Sequence, residues 1–459
     1  MTGRGNMASS SDQPRTLLGF WPCLALVVGT LIGSGIYLLP AQLAPYGWNA
    51  LAGWLITIGG ALCIAFIFAR LARELPRAAG PYAFVERAFG RLPAFAIAWS
   101  YWISVWVGNA AIAVAAASYL SLFLPLLAER PMFGAAAACA MLWLLTLLNC
   151  ISLRAAGRLQ LGTAILKLMP LLLVIGIAAM LLAALGGVAQ PPLPPLPPLE
   201  GLSLGSINEA AALTLWAMLG IEAAAWASRT VRDPARNVPR ATLLGTVLVG
   251  LVYLLVSAAI IFLLPAAEVA ASDAPIALFV ERFLGSGVGL VIALFAAVSV
   301  IGALNGLVLL QGELPLAMAR DRAFPAWFAK VSPAGRPVRA LILSSILTSL
   351  LIFANSSRTL GGLFAFMALL STAAALILYF TVALAAVELQ RRNLVETRAA
   401  FLAVAALAAL YALWTFHGAG LEATGWALVL IAAGLPVYLY SRRRGSRAAA
   451  APHAAPPAG

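Results

Sequence analysis

Histidine is almost missing from this 459-residue sequence, which holds two, and cysteine occurs only four times. His417 stands near the end of an apolar segment and His453 in an Ala/Pro tail, so a histidine-based active site or metal centre has nothing to build on. Cys23, Cys63, Cys139 and Cys150 all fall inside long apolar segments at no metal-ligand spacing. They read as small packing residues rather than disulfides or a metal site. Charge is scarce too: charged residues make up 10% of the chain against 63% hydrophobic, and the mean hydropathy is +0.97. So few ions cannot cover so much apolar surface in water, so the solvent of this chain is lipid. No cluster of His, Asp and Glu lies at one interface, so neither an enzyme nor a cofactor is expected.

Long apolar runs are what the sequence does have. Blocks near or above the roughly 20 residues that cross a bilayer fall at about 18–44, 49–73, 92–124, 132–152, 158–187, 206–230, 239–265, 284–312, 337–354, 362–388, 397–416 and 424–441. They are rich in Leu, Ala and Val without strict alternation, which suits helices that satisfy their own backbone and not barrel strands. The expected fold class is an all-α membrane protein of about 12 transmembrane helices. The polar N-terminus, residues 1–17, precedes an apolar stretch too long for a secretory signal and without a small-residue cleavage site, so the first helix is expected to stay.

A formal charge of +13 suggests nucleic acid until the basic residues are placed. Of 29 Lys and Arg, only Arg130, Arg282 and Arg358 fall in odd-to-even loops, and Lys167 falls within a span. The rest share the face that carries both termini, which the positive-inside rule makes cytoplasmic. Glu129, Glu200, Glu209, Glu268, Asp273, Glu281 and Glu422 occupy the other face. The basic excess is therefore topology in a cell inner membrane, with no nucleic-acid partner, and the basic tail at 442–459 is a cytoplasmic anchor.

Midway along the chain, QPPLPPLPPLE (190–200) lies in a loop at 188–205, where a proline-rich run favours polyproline II and makes a stiff external spacer. It divides a first five-helix repeat (18–187) from a second (206–388), and 389–441 adds two further helices. Because five is odd, the second repeat enters from the opposite side and is inverted. Two glycine-interrupted segments, GTLIGSGIYLLP (29–40) and WAMLGIEAA (216–224), open the two repeats. Paired interruptions of this kind point to a transport site. A single glycine in a membrane helix is ordinarily there for packing; Gly29, Gly33 and Gly35 around Ser34, closed by Pro40, read as an unwound turn.

At such a turn, free N–H groups and the positive end of the following half-helix face the cavity and suit an α-carboxylate, aided by the Ser34 hydroxyl. The Leu31 carbonyl before the break, and those of Trp216 and Leu219 beside Gly220, suit an α-ammonium. The expected ligand is the head of an amino acid. Glu222 lies mid-span, where a carboxylate is costly and hence functional unless it is hydrogen-bonded to a neighbouring helix for structure alone. Lys167 is the only lysine in a span, and Lys330 is the chain's other one. A fixed ammonium there can stand in for a bound cation, and snorkelling is disfavoured by its depth. Glu313, near Pro315, Arg320 and Arg322, reads as a solvated acid at the cytoplasmic end of span 8.

In order along the chain stand IGSGIYLLPAQLA (32–44), GPYAFVERAFG (80–90), WVGNAAIAV (106–114), LTLWAMLGIEAAA (213–225), VRDPARNVPRA (231–241) and ARDRAFPAWFAKV (319–331). On these motifs the chain resembles the amino acid–polyamine–organocation superfamily, and within it the basic amino-acid/polyamine antiporters. The resemblance implies a LeuT-like fold with discontinuous helices 1 and 6. It also implies secondary active transport by alternating access, by exchange or with protons as the coupling partner, and leaves a homodimer open. By motif position Ser34 and Gly35 hold the substrate carboxylate, and the carbonyls of Leu31, Trp216 and Leu219 receive its amino group. Trp216 would be the lid on the outer side, with core packing as the plainer alternative, and Glu222 the glutamate of gating and protonation. Lys167 is similar to the lysine that fills the sodium position in sodium-independent relatives, although the arginine/agmatine exchangers lack it.

Ser104, Val105 and Asn109 fall at side-chain pocket positions of that family. Leu307 stands where the arginine exchangers stack an aromatic on a guanidinium, and a leucine offers no cation–π platform. Asn305, and Ser371 or Thr372, are the remaining polar contacts. Two substrate readings follow: a basic amino acid or polyamine exchanger (arginine, lysine, ornithine, agmatine or putrescine type) with a different distal pocket, and a neutral amino-acid permease. The balance tips slightly to a broad or neutral substrate, because Glu222 is the one acid placed to meet a distal cation. A scaffold or receptor without transport is opposed by the broken helices and intramembrane charges, and a channel by the want of a repeated pore loop.

Overall fold

The computed structural model describes residues 19–33, 35–75, 80–152, 159, 162–163, 166–183, 201–222, 231–320, 324–396 and 398–441. Every regular element among them is helical. Ser34, the proline-rich run at 190–200 and the tail at 442–459 lie outside these residues. In chain order the helices are α1 (Phe20–Leu31), α2 (Gly35–Leu43), α3 (Trp48–Glu74), α4 (Pro81–Phe89), α5 (Arg91–Leu120), α6 (Leu126–Glu129), α7 (Pro131–Ile151), α8 (Leu168–Ala183) and α9 (Leu204–Ala217). There follow α10 (Pro234–Leu263), α11 (Ala266–Ala270), α12 (Pro275–Leu284), α13 (Ser286–Arg320), α14 (Val338–Ala354), α15 (Leu360–Arg391), α16 (Ala399–Gly418) and α17 (Gly420–Ala432). Pro81, Pro131, Pro234 and Pro275 each open a helix, where a missing N–H costs nothing.

Among the described residues, eight helices are long and apolar enough to cross a bilayer: α3, α5, α7, α10, α13, α15, α16 and the run Gly420–Ser441 that begins with α17. The pair Phe20–Leu31 and Gly35–Tyr46, bent by 43°, makes a ninth. Two shorter apolar helices are α8 and α14, of 16 and 17 residues. The blocks expected at 158–187 and 206–230 are covered by regular helix only over α8 and α9 within the described residues. α9 stops because Met218 to Glu222 form turns around Gly220, whose φ of +106° only glycine adopts freely. Lys167 sits in the turn before α8, its carbonyl taken by the Tyr37 hydroxyl at 2.8 Å.

α13 runs past the expected end of span 8, residue 312, to Arg320 with Pro315 inside it. Pro315 cannot donate to the Gln311 carbonyl, and the Ser344 hydroxyl takes that place at 3.4 Å. Glu313 is consequently inside a helix and not at its end.

α5 and α15 form the centre: 94% and 78% of their most apolar windows are buried, against 33% for α16 and 17% for Gly420–Ser441. The last two helices are thus peripheral. Serines stitch the central pair, with Ser100 Oγ donating to the Ala374 carbonyl and Ser371 Oγ to that of Ser104 (2.7 Å). α13 lies along the other side of α5, while α1 and α3 pack on α10 and α9 packs on α3. All four cysteines are free thiols in apolar helices. Arg282 pairs with Glu268, and Arg358 with Glu422.

Candidate functional site

The site is built where two helices stop. α1 ends at Leu31, and Ile32 (φ −74°, ψ 83°) makes an inverse γ-turn in which the Gly33 N–H returns to the Leu31 carbonyl at 2.8 Å. The chain then starts again as α2 in a new direction. In the second half α9 ends at Ala217, and the Met218 and Leu219 N–H groups fold back on the carbonyls of Leu215 (2.9 Å) and Trp216 (3.3 Å).

These two interruptions touch. A β-carbon added at Gly35 falls 2.8 Å from the Ala217 β-carbon and 3.3 Å from the Trp216 ring, and one added at Gly220 falls 3.1 Å from the Thr30 methyl. Glycine at both places is what lets one break close on the other.

Beside them opens a cavity of about 430 Å³, inside the range of small-molecule sites. Leu31, Gly35, Ser104, Val105, Lys167, Trp216, Leu219, Glu222 and Leu307, all expected from the sequence, line it. So does Ser371. Two expected residues do not: the Asn109 amide donates to Gln311 Oε1 at 2.7 Å, and Asn305 Oδ1 accepts from Asn149 at 3.0 Å. Gln311 passes its own amide on to Ser345 at 2.9 Å, so Asn109 belongs to a buried polar chain joining α5, α13 and α14, and Asn305 to a pair joining α13 and α7. Thr372 is likewise spent, on the Ala368 carbonyl.

The carbonyls assigned to an α-ammonium fare unequally. That of Leu31 accepts both the Gly33 N–H and the Tyr253 hydroxyl (2.8 Å), which fills its two lone pairs, and that of Trp216 holds Leu219. Tyr253→Phe is expected to lower stability by about 1 kcal/mol, the net worth of one such bond. Thermal unfolding in detergent reads it.

Trp216 is 7% exposed and presses on Gly108, where an added β-carbon would lie 3.1 Å from its ring. Its indole N–H has no hydrogen-bond partner among the described residues. Glu222 is 1% exposed and braced from both central helices, since Oε1 accepts from Tyr101 (2.5 Å) and Oε2 from Tyr379 (2.8 Å). The backbone N–H groups of Gly220 and Glu222 reach the same carboxylate. Neither tyrosine was among the expected site residues. The signal for them is positional: Tyr101 lies one turn before Ser104 on α5, and Tyr379 two turns after Ser371 on α15.

Lys167, 2% exposed, directs its ammonium at the Gly29 carbonyl of α1, 3.4 Å away. Glu313 corrects the sequence reading, because it lines this same cavity and is only partly exposed.

A cavity bounded by two broken helices in an apolar helical bundle, with opposite charges in its wall, defines a membrane carrier for a small polar solute. The chain belongs to the amino acid permease family, whose sequence model matches residues 18–435. It is similar to the cadaverine/lysine antiporter of Escherichia coli, 32% identical over 353 residues, or 75% of this chain and 76% of the relative. The arginine/ornithine antiporter of Pseudomonas aeruginosa is 31% identical over 419 residues (87% and 85%), and the putrescine transporter of Haemophilus influenzae 28% over 416 (90% and 94%). The protein is thus a multi-span amino-acid transporter of the antiporter kind and not an enzyme.

Proposed function

We propose that the protein exchanges basic amino acids or polyamines across the bacterial inner membrane by alternating access, with both termini in the cytoplasm. The observation that carries the reading is the contact of two helix breaks at one cavity, under a tryptophan whose indole N–H is unspent. The backbone N–H groups that open α2 at Gly35 would take the α-carboxylate, with Ser34 adding its hydroxyl. Trp216 would close the outer side and donate to the ligand. The architecture is twelve spans in two inverted five-helix repeats, 18–187 and 206–388, with 389–441 appended. Its support is the equivalent position of the two breaks and the peripheral place of the last two helices. Protons as a coupling ion and a homodimer remain part of the proposal.

The choice of a basic substrate reverses the slight tilt toward a broad or neutral substrate, which rested on Glu222 being the one acid placed to meet a distal cation. Relatives along most of the chain are named for lysine, cadaverine, arginine, ornithine and putrescine. Glu313 also supplies the second acid that the tilt assumed missing.

Counterflow in proteoliposomes tests it: vesicles loaded with lysine, arginine, ornithine, cadaverine or putrescine are expected to accelerate entry of the labelled cation. Acceleration by neutral amino acids alone would overturn the assignment. Sodium replaced by choline is expected to leave the rate unchanged, since the Lys167 ammonium occupies the place a coupling cation would need. Lys167→Ala is expected to bring transport to background, and full activity in that variant would show the ammonium to be dispensable.

A further inference from the structure

The cavity wall contributed by α13 comprises Ala303, Gly306, Leu307, Leu309, Leu310 and Glu313, in which Leu307, Leu310 and Glu313 follow one another at one-turn spacing. At 1.5 Å per residue it reaches about 15 Å along the helix, and Glu313 lies about 9 Å along it from Leu307. The same wall therefore offers leucines and, two turns from Leu307, a carboxylate.

Two acids face this space, and they differ in what is left for a ligand. A carboxylate has about four acceptor sites. Glu222 meets two tyrosine hydroxyls and the N–H groups of Gly220 and Glu222 itself. Glu313 forms no hydrogen bond or ion pair with any described residue, and the cation that acts on it is Arg320, seven residues on along the same helix. Lys167, the other charge in the wall, is turned to α1 through Gly29.

From this we infer that Glu313 is the specificity-determining anion of the distal subsite, receiving the side-chain cation of a basic amino acid or the second ammonium of a diamine. The inference rests on the proposed exchange of cationic substrates and names the residue that selects them. Leu310 and Leu307, one and two turns before Glu313 on the same wall, pack along the methylenes of the substrate. That explains why an aliphatic residue at 307 is compatible with a cationic ligand: the charge is met beyond it and not stacked upon it. Glu222, which accepts from Tyr101 and Tyr379, holds the second break against α5 and α15 and is not assigned to the distal cation.

The test compares the whole protein with Glu313→Gln and Glu313→Asp in proteoliposomes, using labelled lysine, arginine and cadaverine beside citrulline, which keeps the length of arginine without its charge. Glu313→Gln is expected to raise KM for the cations about tenfold to a hundredfold, the loss of one charge-assisted contact. KM for citrulline should stay level or fall, and Glu313→Asp should recover part of the cation affinity. An equal change for citrulline and the cations would make Glu313 structural, and no change for the cations would remove it from the site; either overturns the inference while leaving the exchange reading standing. Absence of cation transport by the unaltered protein would instead overturn both. Should Glu313→Gln fail to insert, Glu313→Asp carries the same comparison, with an unchanged lysine-to-citrulline preference as the outcome that sinks the subsite.

Discussion

Gly35→Val is expected to reduce exchange at least a hundredfold while the protein still inserts and runs as a single species in detergent. The β-carbon alone would sit 2.8 Å from that of Ala217 and 2.9 Å from its α-carbon. The second is a backbone atom and the first is fixed directly to it, so neither can swing aside as the end of a long side chain can. Overpacking costs about 1–3 kcal/mol, and a hundredfold in rate corresponds to about 2.7 kcal/mol. The strain also falls where the two half-helices must close on substrate. Gly59→Ala is the control, since a β-carbon there meets nothing within 4 Å. Comparable losses in both variants would show that any added methyl harms the bundle and that the contact between the breaks has no special role.

The second large effect belongs to Glu222→Gln, expected to cost tenfold to a hundredfold in turnover. The replacement puts an NH₂ donor where four donors already converge, and a hydrogen bond to a charged partner is worth about 1.5–3 kcal/mol. The groups that face the carboxylate are Tyr101 and Tyr379, with Lys167 and Glu313 in the same cavity. Residual transport by the variant is expected to be flat between mildly acidic and mildly alkaline buffer, as the proposed coupling of protons through Glu222 requires. A profile that keeps the shape of the unaltered protein's would confine Glu222 to holding the second break in place.

Much of this architecture is legible in the chain because lipid leaves few options. Long Leu/Ala runs must be helical, and Gly35 and Gly220 mark the breaks because a β-carbon would collide with Ala217 at the first and φ is positive at the second. What escapes is whatever depends on a partner far away in sequence. Asn109 lies one turn from Val105, on a suitable face, yet Gln311 of α13 claims its amide. Tyr101 and Tyr379 gain meaning only through Glu222, which lies more than a hundred residues from each. Glu313 was misjudged because Pro315 looks like the end of a helix, and only Ser344, on α14, allows the helix to continue.

The two breaks that define the site are about 180 residues apart in the chain. At a synthesis rate of roughly 5–20 residues per second, the first waits about 10 to 40 seconds for the second to be made. Through that interval Gly35 has neither Ala217 nor Trp216 packed against it. The nascent first half thus holds an unfinished seam in the bilayer, and the binding site comes into being only when the later half is laid against it.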